Sequence, residues 1–320
     1  MTPSALTLAG KPAFAVQPAR LRAVLLGCGV VGGGVADHLP AGVELVGVLA
    51  RTPRPGGIAG TPVFTDSDDV FALKPDLVIE ALPGGAYAER VLERAVEAGC
   101  HVITANKDVA ARRPDLVRRA KSFACSAAVG GGAPVLETVK RLKASGADLT
   151  RVRGVLNGTS NFVLDRLARG EALDEAVKAA QQAGFAEADP SADLDGLDAA
   201  NKLALIAREA WGVEIDPAGI DTQSISDLPA DAGARAKAHA RVLRQVASLS
   251  RSPVGVKAKV RLEALSPDDP LARTRDEGNC VVLTPARGAA VIVAGKGAGR
   301  GPTAASVLAD VARLIAEVRP

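Results

Sequence analysis

Short apolar runs separated by polar segments mark the first third of the chain. Between the apolar runs at 77–79 and 101–103, residues 86–98 have helical character. They end at Gly99, a residue suited to a helix C-terminus. Strands that alternate with helices imply a parallel sheet with right-handed crossovers, so the pattern predicts a doubly wound α/β domain. The predicted strands are residues 23–26, 43–49, 77–79 and 101–103.

The pattern changes after Pro134, which is well placed to open a helix. Apolar and polar residues alternate strictly over residues 254–264, which predicts a strand with one buried face and one solvent face. A sheet of this kind with helices on one side indicates an α+β second domain. Further predicted elements are a strand at 152–156 and helices at 135–144, 162–168, 173–183, 197–209 and 304–318.

Composition narrows the function classes. Of the 320 residues, 48% are hydrophobic and only 2% aromatic, so the core consists mainly of aliphatic side chains. Few aromatic rings and a net charge of +3 spread along the chain argue against a nucleic-acid partner. No apolar run approaches the roughly 20 residues of a membrane span. Residues 1–20 lack a signal-peptide pattern and are predicted to be a loosely ordered extension, so we expect a cytoplasmic protein.

A glycine-rich segment follows the first predicted strand and precedes a predicted helix. Its GxGxxG spacing permits a tight turn, a close approach of pyrophosphate to the backbone, and close packing of helix on strand. This context predicts a Rossmann-type dinucleotide site, although a glycine-rich turn without a ligand is the alternative. The segment consists of Gly27, Cys28, Gly29, Val30, Val31 and Gly32.

The end of the second predicted strand bears on the choice between NAD and NADP. An acidic residue there would bind a ribose 2′-hydroxyl, but the sequence carries Arg51 and no carboxylate. A guanidinium can pair with a 2′-phosphate, so we predict a preference for NADP(H), with NAD(H) as a second possibility. The alternative is that Arg51 is an ordinary solvated loop residue.

Polar residues cluster at three later places. Thr104 and Lys107 follow a predicted strand, at the edge where parallel sheets bind ligands. Residues 157–161 form a polar turn between a strand and a helix. Residues 187–198 contain five carboxylates, which repel one another unless a cationic group lies among them. A solvated acidic loop is the alternative, and Asp198 with Lys202 also has the spacing of a routine surface ion pair.

Taken together, six motifs resemble homoserine dehydrogenase, in the order that the family has them and over almost the whole chain. The motifs are GCGVVGGG at 27–34, TANK at 104–107, VGGGAP at 129–134, VLNGTSNFVL at 155–164, GFAEADPSADLDGLDAANKL at 184–203 and GKGAGRGPTAASVLAD at 295–310.

The resemblance implies roles for individual residues. Lys202 is similar to the family's catalytic lysine, the proton donor to the developing alkoxide, and Lys107 to a second lysine near the nicotinamide and the carbonyl. The residues implied to hold the substrate are Glu187, Asp193, Asp198, Gly158 and Thr159. Those implied to contact the cofactor besides the glycine loop are Thr104, Lys107, Gly297, Ala298 and Gly299.

The resemblance further implies an NADP-linked enzyme that interconverts aspartate 4-semialdehyde and homoserine in the biosynthesis of threonine, methionine and isoleucine. It also implies a homodimer. We expect a dinucleotide-binding domain at 21–135 that is completed by 295–320. Residues 136–294 would form the substrate-binding and dimerisation domain.

Three positions depart from the family pattern. Ser126 stands where a glutamate of a monovalent-cation site is usual, which leaves only the backbone carbonyls of Val129, Gly131 and Ala133 as candidate ligands for Na⁺ or K⁺. Phe185 replaces a common tyrosine and loses one hydroxyl. The sequence ends soon after residue 318, so we expect no threonine inhibition through an attached regulatory domain.

Two other functions are compatible with these motifs. One is a dehydrogenase of a related amino-acid aldehyde, which the changes at Ser126 and Phe185 keep open. The other is a catalytically silent NADP-binding sensor, against which the presence of both Lys107 and Lys202 argues. A scaffold role has no support beyond the generic fold.

Overall fold

A computed structural model describes residues 20–297 and 299–318. The predicted extension at 1–20 therefore lies outside the described residues except for Arg20, which is exposed. Within the described part of the chain we find no helix with both the length and the apolar character that a membrane span requires.

The first sheet has six strands, and every neighbouring pair in it is parallel. Its order β3-β2-β1-β4-β5-β6 is that of dinucleotide-binding sheets, which confirms the predicted doubly wound domain. The strands are β1 (Leu21–Leu26), β2 (Val43–Leu49), β3 (Val63–Phe64), β4 (Leu77–Glu80), β5 (His101–Thr104) and β6 (Ser122–Ala124). The helices are α1 (Val30–Ala36), α2 (Ser67–Ala72), α3 (Ala86–Glu97), α4 (Lys107–Arg112) and α5 (Pro114–Arg119).

Helices on both faces explain why the central strands are continuous apolar runs. Every residue of β4 and β5 is buried. Alternate residues of β1 enter two different cores: Val24 packs with the α3 side chains Val91 and Leu92, and Leu25 packs with Val35 of α1. The aliphatic composition thus suits a sheet that has no solvent face.

The second sheet is mixed and has the order β12-β11-β7-β9-β10-β8, in which only β8 and β10 are parallel. Its strands are β7 (Leu149–Val155), β8 (Asp221–Thr222), β9 (Val242–Ser252), β10 (Gly255–Leu265), β11 (Gly278–Pro285) and β12 (Val291–Lys296). The remaining helices are α6 (Val135–Ala144), α7 (Gly158–Leu167), α8 (Leu173–Gln182), α9 (Ser191–Leu194), α10 (Leu197–Trp211), α11 (Ala232–Ala238) and α12 (Arg300–Val318).

The predicted alternation along residues 254–264 is correct only over residues 255–260. Val254 is 90% exposed because it lies in the turn between β9 and β10, and Ala264 is exposed as well. Val260 joins the core beneath α6 and α10, whereas Leu265 packs with Val155 and other side chains of a separate cluster. Leu262 packs against a third cluster, so the strand contributes to three cores and a single-face pattern does not describe it.

The last helix returns to the first sheet. Ala304, Val307, Val311 and Leu314 of α12 share a core with residues of β1. Asp310, 1% exposed, accepts hydrogen bonds from the backbone N–H and the hydroxyl of Ser126 at 2.9 and 2.7 Å. The domain boundaries inferred from the sequence stay predictions.

We predict that Asp310→Ala destabilises the protein by about 2–3 kcal/mol. The substitution leaves two buried hydrogen-bond donors of Ser126 without their charged acceptor. Urea unfolding measures the change. The control is Glu317→Ala on the same helix, whose exposed carboxylate lies 3.6 Å from Arg313 and should matter by less than about 0.5 kcal/mol. Equal unfolding free energies in the two variants would contradict the anchoring role of Asp310.

Candidate active site

The glycine loop after β1 has the geometry of a cradle for a ligand. Gly27 has a φ of +91°, and a Cβ there would lie 2.6 Å from the carbonyl oxygen of Ala81. A Cβ on Gly32 would overlap the carbonyl oxygen of Gly27. At Gly29, the residue before α1, a Cβ would meet nothing within 4 Å. The loop is thus closed toward the protein and open beside Gly29, which fits a pyrophosphate at the helix N-terminus.

Charges of both signs lie near this loop, where Arg300 forms an ion pair with Asp37 at 2.8 Å. Burial raises the pKa of Cys28, while the nearby charges of Arg54 and Arg300 act in the opposite direction. Arg51 lies just beyond β2 and is exposed. Val30 is 65% exposed on the same loop, whereas Val31 is half-buried.

A single buried carboxylate links the two predicted lysines. Asp198 is 4% exposed. The ammonium nitrogen of Lys202 lies 2.6 Å from its Oδ2, and that of Lys107 lies 2.9 Å from its Oδ1. Lys202 also donates to the carbonyl oxygen of Leu156 at 2.5 Å. The two lysines, which were predicted from different motifs, therefore both contact the carboxylate of Asp198.

Three elements bring these groups together. Lys107 is the first residue of α4, which follows directly from the end of β5, while Asp198 and Lys202 lie one turn apart on α10. Asn157, at the end of β7, caps α7 by accepting from the N–H of Ser160 at 2.8 Å. Its amide donates to Asp193 at 2.6 Å and to Asp198 at 2.9 Å. The site thus lies where the ends of two sheets meet.

Contacts between α4 and α10 hold this junction. Asn201 donates to Asp108 at 2.9 Å, and Arg208 donates to the carbonyl oxygen of Ala110 at 2.6 Å. Both bonds join the first domain to the second within two turns of the lysines. They fix the distance between the helix that carries Lys107 and the helix that carries Lys202.

Charge and burial shift the pKa values of the site residues. Burial alone would raise the pKa of Asp198, but Lys202 and Lys107 together hold it well below its ordinary value. Asp198 in turn raises the pKa of Lys107. Burial, and then the negative charge of Asp198, raise the pKa of Asp193. The cluster therefore keeps Asp198 ionised and Lys107 protonated.

The five carboxylates of residues 187–198 have different partners. Of the five carboxylates, Asp193 and Asp198 face the lysines. Asp189 accepts from the N–H of Ser191, and Asp195 accepts from Ser224. Glu187 is exposed. Asp189 and Asp195 therefore bond to serine groups, whereas Asp193 and Asp198 lie beside the lysines.

The residues of the Asn157 turn have close neighbours. A Cβ on Gly158 would lie 3.0 Å from the Cα of Glu277, so a larger residue would displace that loop. Thr159 donates to the carbonyl oxygen of Phe185 at 2.6 Å. The Phe185 ring stacks on Phe162 with centroids 4.8 Å apart, and packing replaces the hydroxyl contact that the family's tyrosine would offer.

The late glycine loop after β12 is described on both sides of Ala298, which itself lies outside the described residues. A Cβ on Gly297 would lie 2.6 Å from the Asn279 side chain. Gly299 has a φ of +117°, and α12 begins at the next residue. The loop thus joins the second sheet to the helix that packs on the first.

Two models of known protein families match this chain. The family model described as homoserine dehydrogenase matches residues 134–312. The model described as the homoserine dehydrogenase NAD binding domain matches residues 27–129.

The chain belongs to the homoserine dehydrogenase family. It is therefore an NAD(P)-dependent oxidoreductase by descent, as the sequence motifs predicted.

Relatives with this name cover most of the chain. The homoserine dehydrogenase of Synechocystis sp. is 33% identical over 315 residues, which are 91% of this chain and 72% of the relative. The NAD(+)-dependent homoserine dehydrogenase of Pseudomonas canavaninivorans is 35% identical, covering 83% of this chain and 80% of the relative. A crystal structure of the Thiobacillus denitrificans homoserine dehydrogenase has a TM-score of 0.86 at 28% identity, covering 92% of this chain and 73% of that one.

Several polar residues of the site were not assigned a role from the sequence. Asn157 was noted only as part of a turn, although an Asn just before a helix and three residues before Ser160 is an N-cap signal. The pair Asp108 and Asn201 has no sequence signature, because its partners lie on helices of different domains. Leu156 contributes a carbonyl oxygen, which any residue could supply.

The monovalent-cation site of the family fits this chain poorly. The Ser126 hydroxyl donates to Asp310, and the Ala133 carbonyl already accepts from the N–H of Val135 at 2.7 Å. Val129 and Gly131 are buried. Within the described residues, no group of three or more His, Cys, Asp and Glu side chains is arranged as a metal site. We derive no step through a cation.

We predict that Asp198→Asn destabilises the protein by about 3–5 kcal/mol, because it leaves two ammonium groups without their buried counter-charge. The measurement is chemical unfolding over a range of pH. Since the folded-state pKa of Asp198 is depressed, its contribution is complete above the ordinary carboxyl range and is lost as pH falls below it. The gap between wild type and variant should therefore narrow in acid, and a gap that is constant down to pH 2 would contradict this.

Proposed function

We propose that the protein catalyses the NADP(H)-linked interconversion of aspartate 4-semialdehyde and homoserine. The observation that carries the proposal is the pair of ammonium groups on one buried carboxylate, at 2.6 and 2.9 Å, beside the carboxyl ends of the parallel strands. That edge is where open α/β sheets bind their ligands. Reduction of an aldehyde needs a proton for the oxygen at this place.

The NADP(H) nicotinamide, when bound, supplies or accepts the hydride. Lys202 is the proposed proton donor in the direction of reduction. Two of its N–H groups donate to Leu156 and Asp198, which orients the third toward a substrate oxygen. Lys107, the more exposed of the two, is proposed to stabilise the negative charge that develops on that oxygen. The oxygen ends as the hydroxyl of homoserine.

The substrate ammonium needs an anionic neighbour. Asp198 is engaged by two lysines and Asn157, so its proposed role includes holding the lysines as well as the substrate. Glu187 and Asp193 are the proposed partners of the ammonium, together with the turn at Gly158 and Thr159. The exposed position of Glu187 leaves its carboxylate available for such a contact.

Lys202→Ala should lower kcat by about 100- to 10,000-fold, the usual contribution of a positioned general acid, while the fold survives. The assay is NADPH oxidation with aspartate 4-semialdehyde, with other amino-acid aldehydes as competing substrates. Lys178→Ala is a matched control, because Lys178 also pairs with an aspartate four residues earlier but is 71% exposed. Near-normal turnover of Lys202→Ala would remove the proposed proton donor, and preference for another aldehyde would change the substrate.

A preference for NADP(H) is proposed on the basis of Arg51, which follows β2 where an NAD-binding sheet would carry a carboxylate. We predict a kcat/KM for NADPH at least about tenfold above that for NADH, since a charge-assisted bidentate pair is worth about 1.5–3 kcal/mol. Arg51→Ala should lower kcat/KM for NADPH and leave the value for NADH nearly unchanged. A wild-type preference for NADH would contradict this prediction. The name of the Pseudomonas canavaninivorans relative states NAD(+) dependence for that enzyme.

We further propose the two-domain division at 21–135 with 295–320 and at 136–294, a homodimer, and a cytoplasmic location. The homodimer follows from the resemblance alone. Light scattering of the purified protein would test it.

A further inference from the structure

A buried carboxyl group lies at the cofactor edge of the first sheet. Glu80 is the last residue of β4 and has an exposed fraction of 0%. It stands opposite Leu26 of β1 and Thr104 of β5. The three residues before it in β4 are Leu, Val and Ile, so the strand otherwise consists of core side chains. Burying a carboxyl group is unfavourable unless hydrogen bonds compensate.

The Glu80 carboxyl group bonds to both loops that leave the sheet beside it. Its Oε1 accepts from the N–H of Leu82 at 2.6 Å, which fixes the turn after β4. Its Oε2 accepts from the hydroxyl of Thr104. The same hydroxyl oxygen accepts from the N–H of Asn106 at 2.8 Å. Glu80 thus ties the end of β4 to the segment that leaves β5.

This chain of hydrogen bonds continues to a site lysine. Asn106 caps α4, since its Oδ1 accepts from the N–H of Val109 at 3.3 Å. Lys107 is the first residue of that helix, and its ammonium lies 2.9 Å from Asp198. A shift of the Thr104 to Asn106 segment would therefore move the backbone from which Lys107 projects.

We propose that Glu80 is a positioning residue, which acts through Thr104 and Asn106 to set the place of the Lys107 ammonium. The proposal rests on the function proposed above for that lysine. Glu80 itself touches neither lysine. It provides one rigid acceptor for two loops that border the cofactor edge, so that β4 and β5 end in fixed relation to each other.

The pKa of Glu80 reflects both its burial and its hydrogen-bond donors. Burial raises the pKa of Glu80 to about 7, while hydrogen bonds from Thr104 and Leu82 act to lower it. At an ordinary core position, an apolar residue of similar volume would stabilise the folded protein more than a buried carboxyl group does. Buried polar groups that depart from the local apolar pattern are typical of functional sites.

The test compares Thr104→Val, which removes only the hydroxyl in the middle of the chain, with Thr104→Ser, which restores it. Displacing a reacting group by about 1 Å can lower turnover about 100-fold, so Thr104→Val should lose about 10- to 100-fold in kcat. Thr104→Ser, which keeps the hydroxyl, should recover most of the kcat that Thr104→Val loses. Glu80→Leu should match Thr104→Val, and the KM for aspartate 4-semialdehyde should change much less than kcat in both.

Glu137→Gln is the matched control. Glu137 is a half-buried carboxyl group with a raised pKa that accepts from the hydroxyl of Ser306 at 3.0 Å, on a helix of the other domain. Its substitution should leave kcat unchanged. Folding of all variants is checked by circular dichroism, and if Glu80→Leu fails to fold, Thr104→Val decides.

Amide hydrogen exchange over residues 104–112 provides a readout that needs no turnover. Faster exchange there in Thr104→Val and not in Glu137→Gln supports the positioning role, even if the wild type reduces none of the aldehydes and the proposed function fails. Folded Thr104→Val with wild-type kcat, or with unchanged exchange over this segment, would overturn the proposal.

Discussion

One buried negative charge, the carboxylate of Asp198, is the constraint on which the site depends. Taken out of water alone it would be strongly unfavourable, and it is compensated by two ammonium groups and the amide of Asn157. Each of these partners comes from a different part of the fold: the end of β5, α10 itself, and the end of β7. The carboxylate therefore couples the integrity of both domains to the geometry of the two lysines.

The architecture around this charge serves to hold its partners in register. The two sheets direct their strand ends toward a common junction, and α4 and α10 are linked across it by Asn201 with Asp108 and by Arg208 with Ala110. In a separate place, α12 follows the second sheet in the chain and packs on the first, where Asp310 accepts hydrogen bonds from Ser126. The chain thus connects the two domains at two places, between α4 and α10 and through α12.

Buried carboxyl groups recur in this protein, and each one joins segments that are distant in sequence. Glu80 joins two strand ends, Asp198 joins two lysines, and Asp310 joins the last helix to the segment after β6. Such groups stabilise only when nearly all of their hydrogen-bonding capacity is met. They therefore select one arrangement of loops at the site, whereas the aliphatic core selects the fold.

Patterns and motifs along the chain were enough to predict the fold class and the glycine loop, and to propose Lys107 and Lys202 as site residues. Apolar runs report the burial of a single strand, and the GxGxxG spacing and the ordered motifs are local strings, so each can be read without knowing the neighbours. Only the tertiary structure showed that Lys107 and Lys202 share Asp198, that Asp189 and Asp195 bond to serines, and that β10 changes its buried face near Leu265. It also decided the partners of Glu80. These outcomes depend on which distant segments pack together. The periodicity of one helix or strand shows which of its faces is buried, but not which other element covers that face.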